Sequence, residues 1–300
     1  MRYVVYGAGA VGGVIAAHLQ LAGIATTVVA RGEHLARIRD GGLVLDTQDS
    51  RDAVHLAATD TAGEVYWTDD TVVLLTVKSH QTAAALDDLE AHAPAGTVVV
   101  SAQNGVANEP AVLRRFASTY AVCVMLPALH LEPGVVVQKS HPTPGILDIG
   151  RFPSGSNSTA EAIAADLRTA TFESQARPDI MAWKHRKLLT NAIGDVSTLF
   201  DSTDGAEELA RGVATEADAV LAAAGIVAVT AEEDDARRGT LIRQRSDSAR
   251  FPGNSLAQSL ARGLDTEIHY RVGELVLLGR LHGVPTPTCE RVLRAALART

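Results

Sequence analysis

Six residues near the start of the chain, Gly7, Ala8, Gly9, Ala10, Val11 and Gly12, read G-x-G-x-x-G after the short apolar run 3–6 and at the start of a helix-compatible stretch, 11–22. A turn without bulky side chains that opens a helix leaves backbone N–H groups and a helix dipole pointing where a pyrophosphate can sit. Gly7 suits the tight turn, Gly9 lets phosphates approach the backbone, and Gly12 lets helix and strand pack closely. The motif predicts a bound dinucleotide. A second set, Lys187, Asn191 and Asp195, is spaced by four residues, which puts an ammonium, an amide and a carboxylate on one helix face. Such a stripe could hold a small acid, and it could equally face solvent. Lys184, three residues before Lys187, shares that face.

The glycine motif needs a parallel sheet behind it, and the first half of the chain supplies one. Strand-like segments at 2–6, 26–30, 71–77, 97–101 and 120–125 alternate with helix-like segments at 11–22, 34–40, 81–91 and 109–117. That alternation predicts an α/β fold, a doubly wound parallel sheet of the Rossmann kind, with valine-rich strands buried on both faces. Two further β-like pieces, 134–139 and 145–150, extend the sheet at its edge, and a helix over 159–170 closes the domain. Beyond a boundary near Arg177 and Pro178, helical periodicity dominates over 180–200, 206–224, 232–248, 255–281 and 287–298. The expected organisation is a dinucleotide-binding domain at 1–177 and a second, all-helical domain at 178–300 for substrate binding and dimerisation.

Composition excludes several function classes. With 300 residues, 46% hydrophobic and 21% charged, the chain suits two ordinary globular domains. The apolar N-terminus resembles a signal peptide in length, but glycines break it and no convincing cleavage site follows His18. No uninterrupted apolar run is long enough for a membrane span. A net charge of −8 with dispersed Lys and Arg argues against nucleic acid as a partner. Cys123 and Cys289 lie in different expected domains, so no disulfide framework is expected and a reducing cytoplasm fits. No metal-ligand spacing is present among the histidines and cysteines, and no metal is expected. The charge-rich 232–238 segment reads as a solvated helix face.

The end of the second strand selects the dinucleotide. A carboxylate there would accept hydrogen bonds from the ribose 2′-hydroxyl of NAD, whereas this strand runs into Arg31. A guanidinium pairs instead with a 2′-phosphate through charge-assisted contacts, so NADP (NADPH) is expected. Glu33, two residues on, is the competing ribose reader.

Several separated pieces share their order and spacing with the ketopantoate reductase family. They are Val77-Lys78-Ser79-His80-Gln81, Gln103-Asn104-Gly105, Arg186-Lys187-Leu188-Leu189-Thr190-Asn191, and Ser255 followed by Thr266-Glu267-Ile268. The chain resembles that family over most of its length. The resemblance places Lys78 and Gln81 near the cofactor and Asn104 near the nicotinamide and a catalytic lysine. It selects Lys187 over Lys184, and puts Asn191, Asp195, Ser255 and Glu267 around the substrate. Read without it, Lys78 to Gln81 is a helix-capping loop, Asn104-Gly105 a turn, Ser255-Leu256-Ala257-Gln258 a capping box, and Glu267 a surface carboxylate on the same helix as Ser255. Two positions depart from the family: Asp195 replaces a usual asparagine, and Ser259 stands where an aspartate is common. An extra negative charge there would repel an acid substrate unless it is paired or points away.

The implied activity is NADPH-dependent reduction of a small 2-oxo acid, with 2-dehydropantoate (ketopantoate) favoured and pantoate the product. Lys187 would give the proton, Asn104 would orient the lysine or the nicotinamide, Asn191 and Glu267 would hold the substrate hydroxyl, and Ser255 would touch the carboxylate. The alternatives are the same chemistry on another small 2-oxo or 3-hydroxy acid, or a non-catalytic NADP sensor. Apolar faces in the helical half could pair with a second subunit as a homodimer.

Overall fold

The computed structural model describes residues 1–201, 205–247, 253–263 and 265–299. It divides into two compact units: residues 1–103, 108–180 and 238–251 form the first, and 104–107, 181–237 and 252–300 the second. The single boundary expected near residue 177 therefore misses two excursions of the chain.

In the first unit, β1 (Arg2–Tyr6), α1 (Ala10–Leu21), β2 (Thr26–Val29), α2 (Gly32–Gly41), β3 (Leu43–Asp46), β4 (Arg51–Val54), β5 (Ala57–Thr59), β6 (Thr71–Leu75), α3 (Thr82–His92), β7 (Val98–Ser101), α4 (Asn108–Leu113) and β8 (Thr119–Met125) follow in order. They are succeeded by β9 (Ala128–Leu129), β10 (Val135–Gln138), β11 (Ser140–Pro142), β12 (Ile146–Arg151) and α5 (Ser158–Thr169). The main sheet has seven strands in the order β12-β8-β7-β6-β1-β2-β5, all pairs parallel except β12 with β8. Alternation along β1 sends Tyr3 and Val5 into a core shared with Val14, Ile15 and Leu19 of α1 and Ile163 and Leu167 of α5. Val4 and Tyr6 point the other way, into a core with Leu86 and Leu89 of α3. Both tyrosine hydroxyls end on carboxylates of the covering helices, Tyr3 on Asp166 at 2.8 Å and Tyr6 on Asp88 at 2.6 Å. A buried phenol therefore keeps a partner on each face.

The short strands β3, β4, β9 and β10 form a separate four-stranded sheet, so the 134–139 piece does not extend the main sheet as expected. Residues 242–244 form β13 (Ile242–Gln244), antiparallel to β11. The helix expected over 232–248 is thus a short one, α8 (Ala231–Arg238), followed by a strand, and its last expected residue lies outside the described residues. Strand pairing with β11 overrides local helical preference here. The reciprocal pair Thr230 and Glu233 starts α8, each side chain accepting the other's backbone N–H at 3.1 and 2.7 Å.

The second unit contains α6 (Ile180–Leu199, counted from Met181 in this unit), α7 (Ala206–Ala223), most of α8, α9 (Ser255–Ala261), α10 (Val272–His282) and α11 (Pro287–Leu297). Leu188, Leu189, Ala192 and Val196 of α6 pack with Val213 and Ala217 of α7, Leu275 of α10 and Val292 of α11. Glu216 of α7 caps α11, accepting the N–H groups of Thr288 and Cys289 at 2.7 and 2.8 Å. The continuous helix expected over 255–281 is broken. Helix α9 stops at Ala261, Gly263 takes a left-handed φ of +59°, and residue 264 lies outside the described residues. A 3-10 turn at Ile268–Tyr270 then leads into α10.

Close packing at the head of α1 generates a stability prediction. A Cβ on Gly12 would lie 2.1 Å from the Gly7 carbonyl oxygen and 2.3 Å from Thr76 Oγ1. Gly12→Ala is expected to destabilise the fold by about 1–3 kcal/mol, the usual scale of overpacking. A thermal melt reads this as a lowered Tm; an unchanged Tm would mean the turn can yield.

Candidate active site

Strand order changes direction at β1 and β6, and ligands of such sheets sit outside the carboxyl ends of strands at that point. Gly7 follows β1 there with φ +109°, and a Cβ on it would meet Val77 of the β6 end at 2.8 Å. Thr76 grips the turn, its hydroxyl donating to the carbonyls of Gly7 at 2.7 Å and Tyr6 at 3.1 Å. Gly9 is the N-cap of α1 and brings no side chain to its first turn, whose leading N–H groups have no partner within the helix. Nothing lies within 4 Å of where a Gly9 Cβ would be. Open room over uncapped amides fits a dinucleotide pyrophosphate, with Ala8, Ala10 and Val11 completing the turn.

His34 of α2 braces this turn, and sequence reading passed over it. Gly134 N–H donates to its Nδ1 at 2.8 Å, so Nε2 carries the hydrogen and donates to the Ala8 carbonyl at 2.7 Å. Burial lowers its pKa, which keeps the neutral ring this bridge requires. Arg31 is the exposed N-cap of α2, two residues beyond the end of β2. Glu33 instead pairs with Arg37 one turn along, at 3.4 Å in solvent.

Lys78 and Gln81 occupy the loop after β6, where the Gln81 side chain accepts the Lys78 N–H at 3.3 Å. A buried polar network holds this loop. Gln103 donates to the Val77 carbonyl and to Thr82 Oγ1, both at 2.8 Å, Thr82 donates to Asn108 at 3.0 Å, and Asn108 donates to Ser79 at 3.1 Å. Fully partnered buried polar groups rigidify their surroundings, so Gln103 and Asn108 hold this loop in place, and nothing in the sequence signals Asn108.

In the second unit, the Asn191 side chain donates to Asn104 Oδ1 at 3.4 Å. Asn104 begins the 104–107 segment, and Gly105 lies so close to the Tyr270 carbonyl that a Cβ would approach it to 2.8 Å. The Asn-Gly pair is therefore a packed contact against the 3-10 turn, rather than a solvent turn alone. Glu267 is the residue before that turn and is half-buried; contrary to expectation, it does not share a helix with Ser255. Lys187 is half-buried on the same face of α6 as Asn191, whereas Lys184 is only 3% exposed.

Two expectations are corrected. Asn254, not Ser255, caps α9, its side chain accepting the N–H groups of Leu256 and Ala257 at 3.0 Å each. Asp195 is fully buried with both oxygens on Arg271, at 2.9 Å to Nε and 2.5 Å to Nη2. Its charge is paired with that of an arginine, the condition under which it does not repel an acid. Burial pushes the Asp195 carboxyl up to about 6, against the pull of the guanidinium.

Family models for ketopantoate reductase PanE/ApbA match residues 3–154, and those for its C-terminal part match 179–299. The chain belongs to the ketopantoate reductase family. This is a family of oxidoreductases acting on CH–OH groups. It is 31% identical to the 2-dehydropantoate 2-reductase of Mesorhizobium japonicum over 98% of this chain and 96% of the relative. The Pyrococcus horikoshii enzyme of that name is 26% identical over 96% and 93%. A crystal structure of a PanE/ApbA family ketopantoate reductase from Ralstonia eutropha superposes with a TM-score of 0.84 at 26% identity, covering 100% of this chain and 98% of that one. D-mandelate dehydrogenase, solved with NADH and anilino(oxo)acetate, has the same fold, with a TM-score of 0.83 at 21% identity over 100% and 98%. No helix among the described residues is long and apolar enough to cross a membrane.

The open room over Gly9 separates binding from stability. Gly9→Val is expected to leave Tm unchanged while weakening dinucleotide binding, read by fluorescence titration. Unaltered affinity would place the pyrophosphate elsewhere.

Proposed function

We propose that this chain reduces 2-dehydropantoate to pantoate with NADPH, with Lys187 as proton donor. One observation carries the reading: Asn104, from the loop after β7, meets Asn191, one turn along α6 from Lys187. A cofactor-side motif and the lysine helix therefore share a hydrogen bond. The amides of the first turn of α1 would hold the pyrophosphate and Arg31 the 2′-phosphate, with Lys78 and Gln81 beside them.

NADPH, when held by these residues, would supply a hydride to the ketone carbon. As that C–H bond forms, the C=O π bond breaks and negative charge gathers on oxygen, where the Lys187 ammonium stabilises it and gives up a proton to form the hydroxyl. Asn104 orients the lysine, Asn191 and Glu267 hold the substrate hydroxyl, and Ser255 hydrogen-bonds the carboxylate. Asp195 takes no direct part.

A second reading changes the substrate to another small 2-oxo or 3-hydroxy acid. It is favoured by the Asp195–Arg271 pair beside Ser255 and Asn191, which departs from the asparagine usual in the family. Purified protein with NADPH and a panel of oxo acids separates the two, and a tenfold preference for a different acid would select the second. Tight NADPH binding without oxidation by any of them would instead indicate a sensor.

Lys187→Ala is expected to lower kcat by about 100- to 1,000-fold, the scale of losing an oxyanion donor, with NADPH affinity kept. Wild-type turnover in this variant would overturn the assignment. Arg31→Ala is expected to weaken NADPH by about 10- to 100-fold, the worth of a charge-assisted hydrogen bond, and to leave NADH affinity nearly unchanged. Equal losses for both nucleotides would remove Arg31 as the phosphate reader.

A further inference from the structure

Arg271 was not singled out by spacing, motif or resemblance, yet its guanidinium joins the substrate-side residues of the helical unit. It is 4% exposed. Its Nε and Nη2 hold the two oxygens of Asp195, Nη2 also donates to the Asn191 carbonyl at 3.2 Å, and Nη1 donates to Ser255 Oγ at 2.7 Å. One side chain thus ties two turns of α6 to the first residue of α9.

The donor inventory gives this contact a direction. Arginine only donates, and a serine hydroxyl has one hydrogen and two lone pairs. Because Arg271 occupies a lone pair of Ser255, the serine hydrogen is left to be given to an acceptor. Asn254 has already taken over the capping of α9, and Ser255 is half-buried, so its hydroxyl is not spent on starting the helix. Asp195 in turn neutralises the arginine. The pair orders its neighbours without adding net charge beside Lys187.

We propose that Arg271 is a positioning and specificity-determining residue: clamped by Asp195, it fixes Ser255 as a hydrogen-bond donor to the carboxylate of a small acid substrate and pins the Asn191 turn of α6. This rests on the reading of the site as one that binds a small 2-oxo acid. Replacing both buried ions by apolar groups is often tolerated, whereas removing only one strands a buried charge. The informative background is therefore the double variant Arg271→Met with Asp195→Leu, alongside Arg271→Lys.

The experiment is a cycle of Ser255→Ala in the wild-type and double-variant backgrounds. It is read by KM and kcat with NADPH and 2-dehydropantoate, and independently by calorimetric binding of pantoate and lactate in the presence of NADP⁺. A melting curve checks that each variant is folded. The expected result is a KM or Kd raised about tenfold or more by the double variant, the scale of one lost charge-assisted hydrogen bond, with a smaller change in kcat. Ser255→Ala should then cost affinity in the wild type and almost nothing further in the double variant, and Arg271→Lys should recover part of the loss. Unchanged acid affinity in a folded double variant, or a Ser255→Ala penalty of equal size in both backgrounds, would overturn the proposal. If wild type binds the acids but reduces no 2-oxo acid, the reductase reading fails while the cycle still reads the role of Arg271 from binding. If it binds none of them, the proposal fails as well.

Discussion

A helix can begin directly off the end of a buried strand only if nothing stands between them, and that steric constraint governs the first unit. At the junction of β1 and α1 the Gly7 carbonyl, the Thr76 hydroxyl and the Gly12 backbone are packed more tightly than any side chain would allow. The seven-stranded sheet, tyrosines anchored on both faces, supplies the rigid floor. His34 adds a brace from α2 and the 130–134 loop. The product is a helix start that no side chain caps, which suits it to recognising an anion.

The helical unit meets a different constraint. It carries Lys187, Asn191 and Asp195 at four-residue spacing on α6, with Asn191 bonded to Asn104, and an uncompensated carboxylate among them would work against an acidic ligand. Arg271 meets that demand by pairing with Asp195 out of solvent. Buried ion pairs seldom add much net stability, because desolvation offsets their attraction. Their use here is geometric, in setting which atoms of Ser255 and Asn191 remain available.

Local signals carried much of this architecture. Valine-rich runs marked the parallel strands because both their faces are buried, and the G-x-G-x-x-G spacing marked the tight turn from β1 into α1 because close backbone packing demands it. Lys187, Asn191 and Asp195 shared a face by helical geometry alone. Arg271 was illegible because nothing in its neighbourhood at 268–274 announces a partner 76 residues away. Likewise the strand β13 is fixed by pairing with β11, a long-range interaction that helical periodicity over 232–248 could not register. Ser255 looked like a cap because the motif fitted, and only the neighbouring Asn254 side chain in place shows which of the two does that work.

Residues 238–251 add one more consequence. They leave the helical stretch to supply β13 and to send Arg245, whose side chain is only 3% exposed, onto Asp46 at 2.8 Å and the Gln138 carbonyl at 3.1 Å in the nucleotide-binding unit. Residues 104–107 make the opposite excursion. Neither unit is a contiguous stretch of the gene. A truncation ending near residue 180 would strip β11 of its neighbour and strand Asp46 without its buried cation, so the nucleotide-binding half is not a module that evolution or an engineer can excise with one cut.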